Sequence, residues 1–399
     1  MEANGFAPEY GTVTDGLAPL LDSGKLRAQR AKWEAQPVLM EAVDRLGTVV
    51  ANERRADTVV PVRDLRMAAD GRLHRVTGGD GLWLSLSALA PLLARSACPC
   101  PGAAAVYLRE IPAARRAAEV NSWLSATGRD REVMLRHRTG RAGREAYAVV
   151  SPRYVDYDGD VLATALATAL ADVPGARGEI RYDGSRCDVR ATWHAPEQPA
   201  GVRVGDTFGA VVGLRSADDG SGAVHTFGGL LRHLCSNMML VSMREVSADS
   251  RRHVGRGMAA DVARAIRAAR ESVTGLVAQW SRAEQAELFA LTGVPGQGPR
   301  MLSSEALTRG VYRGLLASGD LSVPGERGAS AVDLLWSCFL ADVRDLGRPT
   351  VADLVNGITR AAHTAALPGV WAGPEVEAQA GAILAHATAQ GAKLPFQAS

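Results

Sequence analysis

The stretch from Tyr147 to Trp280 constrains the fold most, because within it the apolar residues change from every second position to every third or fourth. Tyr147-Ala148-Val149-Val150 reads as a buried strand ended by Ser151-Pro152. Val161, Leu162, Ala165, Leu166, Ala169, Leu170 and Val173 then form a helical stripe, capped by Asp158 or Asp160 and stopped by Pro174-Gly175. The segments Ile180-Arg181-Tyr182 and Cys187 to Trp193 alternate about Asp183-Gly184, a strong hairpin signal. Tyr182 and Trp193 fall on its apolar side, whereas Arg181, Arg190 and Thr192 make the other face basic. A third strand, 207–215, turns through Asp218-Asp219-Gly220-Ser221-Gly222 into 223–227, which completes an antiparallel meander. A long helix follows from Met258 to Trp280, with Met258, Val262, Ile266, Ala269, Val273, Leu276 and Trp280 on one stripe and Arg264, Arg267 and Arg270 elsewhere.

These elements predict an α+β protein: a central antiparallel β-meander packed by the 161–173 and 258–280 helices, with mostly helical N- and C-terminal regions. Three regions are expected. Residues 1–100 form an N-terminal α/β region, in which Ser85 or Ser87 caps a helix bearing Leu86, Leu89, Leu92 and Leu93, and Cys98-Pro99-Cys100-Pro101-Gly102 makes the boundary. Residues 101–280 form the α+β core domain, helical between Val106 and Glu145, and 281–399 form a helical C-terminal region.

Charge narrows the partners. Lys+Arg of 45 against Asp+Glu of 43 excludes a globally basic nucleic-acid coat, so any cationic surface is local. All but Lys25, Lys32 and Lys393 of the basic residues are arginine, whose planar fork suits phosphate. The densest positive stretch, 129–144, holds Arg129, Arg131, Arg136, Arg138, Arg141 and Arg144 against Asp130 and Glu132. With Arg181, Arg190, Arg264, Arg267 and Arg270 these are the candidate nucleic-acid contacts; a solvated face with no ligand is the alternative.

Recognisable catalytic chemistry does not emerge. The five cysteines form no even framework and no CxxC, and Cys98-Pro99-Cys100 is too tight for a zinc half-site. Asp156-Tyr157-Asp158-Gly159-Asp160 begins like a calcium loop, but Ala167 stands where the bidentate Glu is needed, so helix capping is the better reading. Gly255-Arg256-Gly257-Met258-Ala259-Ala260 opens a helix without the buried strand that a dinucleotide site requires. His225, His233 and Cys235 have no orienting group in the pattern, and Asn356, Thr359 and His363 share a helical face that suits a polar network as well as a site. No catalytic residue, metal or cofactor is therefore expected. The N-terminus has no basic region followed by an apolar core and no stretch is long enough to cross a bilayer, so a cytoplasmic protein without membrane contact is expected.

The string Gly205-Asp206, Gly209, Ser216, Gly222 and Leu231-Arg232-His233-Leu234-Cys235-Ser236-Asn237-Met238 resembles the phage- and plasmid-borne family called domain of unknown function 932. Its signature joins a Gly-Asp to an Arg-x-x-Cys-[Thr/Ser]-Asn-Gly string, which singles out Gly205, Asp206, Arg232, Cys235 and Asn237, with Met238 in place of the last glycine. Ser151-Pro152-Arg153-Tyr154 and Asn356-Gly357-Ile358-Thr359 agree as well. The resemblance implies a mobile-element context rather than a reaction. The element order is also similar to the core of single-strand annealing recombinases, an analogy of fold alone. The function expected is single-stranded DNA binding or annealing in phage or plasmid recombination or replication, by a homo-oligomer. A non-catalytic interaction protein of a mobile element is the alternative, and an enzyme with an unrecognised site the third reading.

Overall fold

The computed structural model describes residues 36–78, 81–140, 143–154, 158–194, 208–232, 237–241, 258–292, 303–343, 345–364 and 372–397. Helix α1 (Leu39–Asn52) leads into four short strands, β1 (Ala56–Pro61), β2 (Leu65–Met67), β3 (Arg72–Arg75) and β4 (Leu82–Leu84). Helices α2 (Leu86–Arg95), α3 (Pro101–Glu110) and α4 (Ala113–Ser125) follow, then a hairpin of β5 (Glu132–Gly140) and β6 (Gly143–Val150). Ser85 caps α2 as one of the two expected serines, its Oγ accepting the Ala88 N–H at 3.1 Å.

The six strands form one sheet in the order β1-β5-β6-β4-β3-β2, antiparallel except between β4 and β6. Its two edge strands, β1 and β2, are separated in the chain only by the short turn Val62–Asp64. The sheet therefore curls until its ends approach, and Arg75 Nη2 donates to the Val59 carbonyl at 3.3 Å.

Two expectations are corrected here. Residues 106–145 are not helical throughout: Val133 and Leu135, two apart, turn to one face, and pairing with β1 and β6 makes 132–140 a strand. Nor does 98–102 divide two cores. Pro101 is the first residue of α3, and Leu92, Leu93, Leu108, Val120, Leu124 and Val133, from both sides of the break, share one cluster.

The second sheet contains the expected meander and one strand more, at 237–241. β7 (Arg177–Tyr182), β8 (Arg186–His194), β9 (Phe208–Ala217), β10 (His225–Arg232) and β11 (Asn237–Val241) pair antiparallel in simple succession. Gly184 supplies the positive φ (+94°) that the β7–β8 turn needs. Helix α5 (Gly159–Ala169) and the long α6 (Met258–Gln285) pack on one face, against Cys187, Val189, Ala191, Ala210, Val212 and Leu214. The α6 stripe is buried from Val262 to Trp280, whereas Val161, expected in the α5 stripe, is 43% exposed.

Helices α7 (Leu288–Thr292), α8 (Ser304–Ser318), α9 (Gly328–Asp342), α10 (Val351–Thr364) and α11 (Ala372–Thr388) make the C-terminal region helical, as expected. They are not a separate unit. Leu307, Leu335, Leu354, Val376 and Leu384 belong to the same cluster as the central sheet, and so do Leu39, Val43 and Leu46 of α1.

Candidate nucleic-acid interface

Three of the arginines expected to meet phosphate, Arg136, Arg138 and Arg144, stand on the β5–β6 hairpin. Residues two apart on a strand share a face, so Arg136 and Arg138 project together, away from the Val133/Leu135 side that packs against α2 and α4. A bulge between Arg136 and His137 aims Tyr147 at them, with their guanidinium carbons 5.6 and 5.1 Å from its ring centre. This face is covered by the central unit rather than by water.

Arg136 is consequently buried. Its guanidinium donates to Asp158 Oδ1 (2.6 Å) and Oδ2 (2.9 Å), to Asp57 Oδ1 on the neighbouring strand (3.2 Å) and to the Asp218 carbonyl (2.9 Å). Arg55, just before β1, donates to Asp158 Oδ2 (2.6 Å), Asp218 Oδ2 (2.9 Å), Glu53 Oε2 (2.8 Å) and the Tyr182 hydroxyl, which itself donates to Glu53. Arg138 faces Glu53 (3.6 Å) and Glu145 (3.5 Å) and donates to the Gly184 carbonyl. Burial opposes the charged form of Arg55 and Arg136, but the surrounding carboxylates reverse that and hold both protonated. Asp218 is pushed up to about 7, by its own burial first and by the adjacent Asp158 second. Two sheets are thus joined by arginines shared among carboxylates.

The same network corrects the capping assignment. Asp158 stands at the N-cap position of α5 without a capping bond, because its carboxylate is taken by the two arginines. Asp218 caps instead, its Oδ1 accepting the Gly159 N–H at 3.1 Å.

A second charged layer removes Arg190. The face of the meander expected to be basic and open lies under the N-terminal part of α11, where Arg190 and Thr192 are buried. Arg190 binds Asp188 on its own strand and Glu377 of α11 (2.9 Å), and His363 of α10 donates to the same glutamate at 2.8 Å. Burial works to raise the Glu377 pKa, yet Arg190 and His363 hold it down at about 2. His363 therefore belongs to a structural network, in which Asn356 and Thr359 are buried nearby on the same helix.

Arg136 and Arg190 are accordingly corrected from phosphate contacts to internal counter-ions. The remaining candidates are scattered. Arg129 and Arg131 lie exposed where β5 begins, Arg131 donating to the carbonyls of Arg95 and Ser96. Arg144 is exposed at the far end of the hairpin and touches the His137 ring at 3.3 Å. Seven residues of strand separate Arg131 from Arg138, roughly 23 Å at 3.3 Å per residue, so 129–144 is no single patch. Arg181 pairs with Glu179 and Arg270 with Asp172 at 2.8 Å each, while Arg264 and Arg267 are exposed on α6. Arg141, Gly205, Asp206, Cys235 and His233 lie outside the described residues, as does the 255–257 part of the glycine string. Arg232 and Asn237 are Cα partners that close the β10–β11 hairpin.

Arg55, Asp218 and Glu377 were not legible as site residues, since each is defined by partners distant in the chain. Among the described residues no group of three His, Cys, Asp or Glu is placed to hold a metal ion, and no helix is long and apolar enough to cross a membrane. No family model matches the sequence, and no curated protein or solved structure matches it either.

Proposed function

We propose that this chain binds single-stranded DNA through its phosphate backbone and anneals or protects strands during recombination or replication of a mobile element. The observation that carries the reading is the charge left over once the internal carboxylates are assigned. Arg54, Arg129, Arg144 and Arg267 are exposed and form no ion pair with a carboxylate among the described residues, whereas Arg55, Arg136 and Arg190 are taken up by internal carboxylates. Arginine left exposed in this way suits phosphate, which it can grip with two parallel N–H donors. The resemblance in the 205–238 string adds the mobile-element context, and annealing asks for several copies acting along one strand.

Filter binding to labelled single-stranded DNA over a salt series tests this. Four phosphate contacts predict a slope of log affinity against log salt of about −3, at roughly 0.7 per contact for single strands. An interaction protein with no nucleic-acid role would show no retention. Binding that is absent, or indifferent to salt, overturns the proposal.

A further inference from the structure

The backbone at Arg54 is left-handed, with φ +48°, and no other described non-glycine residue has a positive φ. Asn, Asp and Gly take this conformation readily and arginine does not, so the fold itself gives no reason for arginine here. The side chain is exposed and makes no ion pair or hydrogen bond with any described residue. A strained residue whose side chain serves no contact within the fold points to a role outside it.

Its position supplies the role. The carbonyl of Glu53 accepts the Thr139 N–H at 2.8 Å, and Thr139 is the Cα partner of Arg144. Arg54 and Arg144 therefore flank the end of β5 on its two sides, about two strand spacings or roughly 10 Å apart. The carboxylates around them are occupied: Glu53 by Arg55 and Arg138, Glu145 by Arg138, and Asp57 by Arg136. What Arg144 does touch, the His137 ring, is kept neutral by burial and by Arg144 itself, so it supplies no compensating charge.

We propose that Arg54 and Arg144 form a two-arginine clamp on the phosphodiester backbone of single-stranded nucleic acid at the tip of the β5–β6 hairpin. This rests on the single-strand binding proposed above and names where the backbone is held. Both arms are long and bear forked donors suited to phosphate oxygens, which carry no sequence information. The clamp is therefore indifferent to sequence.

Filter binding of single-stranded DNA across a salt series, with the full chain and the variants Arg54→Gly, Arg144→Gln and the double variant, decides the matter. Glycine suits a φ of +48°, so Arg54→Gly removes the side chain while leaving the thermal midpoint unchanged or higher. Each single variant is expected to reduce the salt slope by about 0.7 and the double variant by about 1.4, equally on all sequences. A folded double variant that keeps the wild-type slope overturns the clamp and leaves single-strand binding standing. A wild-type chain that retains no DNA overturns the underlying reading and the clamp with it. If the double variant does not fold, an unchanged slope in Arg54→Gly alone is enough to reject the pair.

Discussion

Replacing Arg190 by methionine should destabilise the chain strongly at neutral pH and change the sign of its response to acid. The substitution keeps most of the apolar stem and removes the guanidinium, whose carbon lies 5.9 Å from the Phe227 ring centre. Asp188 and Glu377, both fully buried, would then lose their shared cation, leaving Glu377 with His363 and Asp188 with no ion-pair partner. Removing one partner of a buried pair costs about 3–5 kcal/mol. In the wild type Glu377 titrates at about 2 against an ordinary 4.5, a gap that corresponds to about 3 kcal/mol. Because that pKa is depressed in the folded state, the contribution is complete above pH 4.5 and is lost as the pH falls toward 2. In Arg190→Met, Asp188, already raised by its burial, loses the cation that most holds it down and keeps only the field of Arg215, while Glu377 keeps His363 alone; both carboxylates rise, so acid should relieve the variant over the range in which it weakens the wild type. Urea denaturation at a series of pH values measures both curves. Arg190→Met/Glu377→Gln should recover part of the loss, and the salt slope of DNA binding should not move. A loss below about 1 kcal/mol at pH 7, with a wild-type pH response, would refute the buried-network assignment.

Trp193 packs against the main core but is only partly buried, so Trp193→Ala is expected to cost about 2 kcal/mol, below the range for a fully buried ring. Thermal denaturation checks this, and a stable variant that has lost only DNA affinity would make Trp193 a stacking platform instead. At Gly213 an added Cβ would strike the Phe227 ring and stand 2.6 Å from the Val189 carbonyl oxygen. Gly213→Ala should therefore destabilise by about 1–3 kcal/mol, and an unchanged urea midpoint would show that the strands yield more easily than this packing implies.

Local signals carried the meander. The Asp183-Gly184 turn, the alternation around it and the single stripe of α6 each lie within a few residues, and local chemistry is what a sequence displays directly. The arginines of β5 show the opposite case. Alternation places Arg136 and Arg138 on one face, but whether that face meets water or a second charged layer depends on Asp218, 82 residues away from Arg136. Glu377 is farther still from Arg190, at 187 residues. A row of arginines on a strand reads alike in both situations, because only the partner's position separates them. The string at 98–102 misleads for a related reason: proline at the first turn of a helix starts an element as readily as it ends a domain.

Self-association through the sheets meets a structural obstacle that the annealing model must accommodate. Strand addition needs an uncovered edge, and the chain has covered most of its own. In the central sheet, β7 is met by the segment before α1, with the Gly178 N–H donating to the Pro37 carbonyl and the Leu39 N–H to the Ala176 carbonyl, both at 3.0 Å. At the opposite edge, α10 and α11 pack against β11. In the curled N-terminal sheet the two edges are drawn toward each other by the three-residue connection between β1 and β2. Copies of the chain would therefore assemble by aligning side by side on a shared strand of DNA, not by joining sheets in advance. Light scattering should give the mass of one chain, 42.0 kDa, without oligonucleotide and multiples of it only when a long single strand is added. A ring or filament present before DNA is supplied would show that one of these edges opens, and the segment at Pro37 is then the first to examine, by deleting its two bonds to β7 and measuring the mass again.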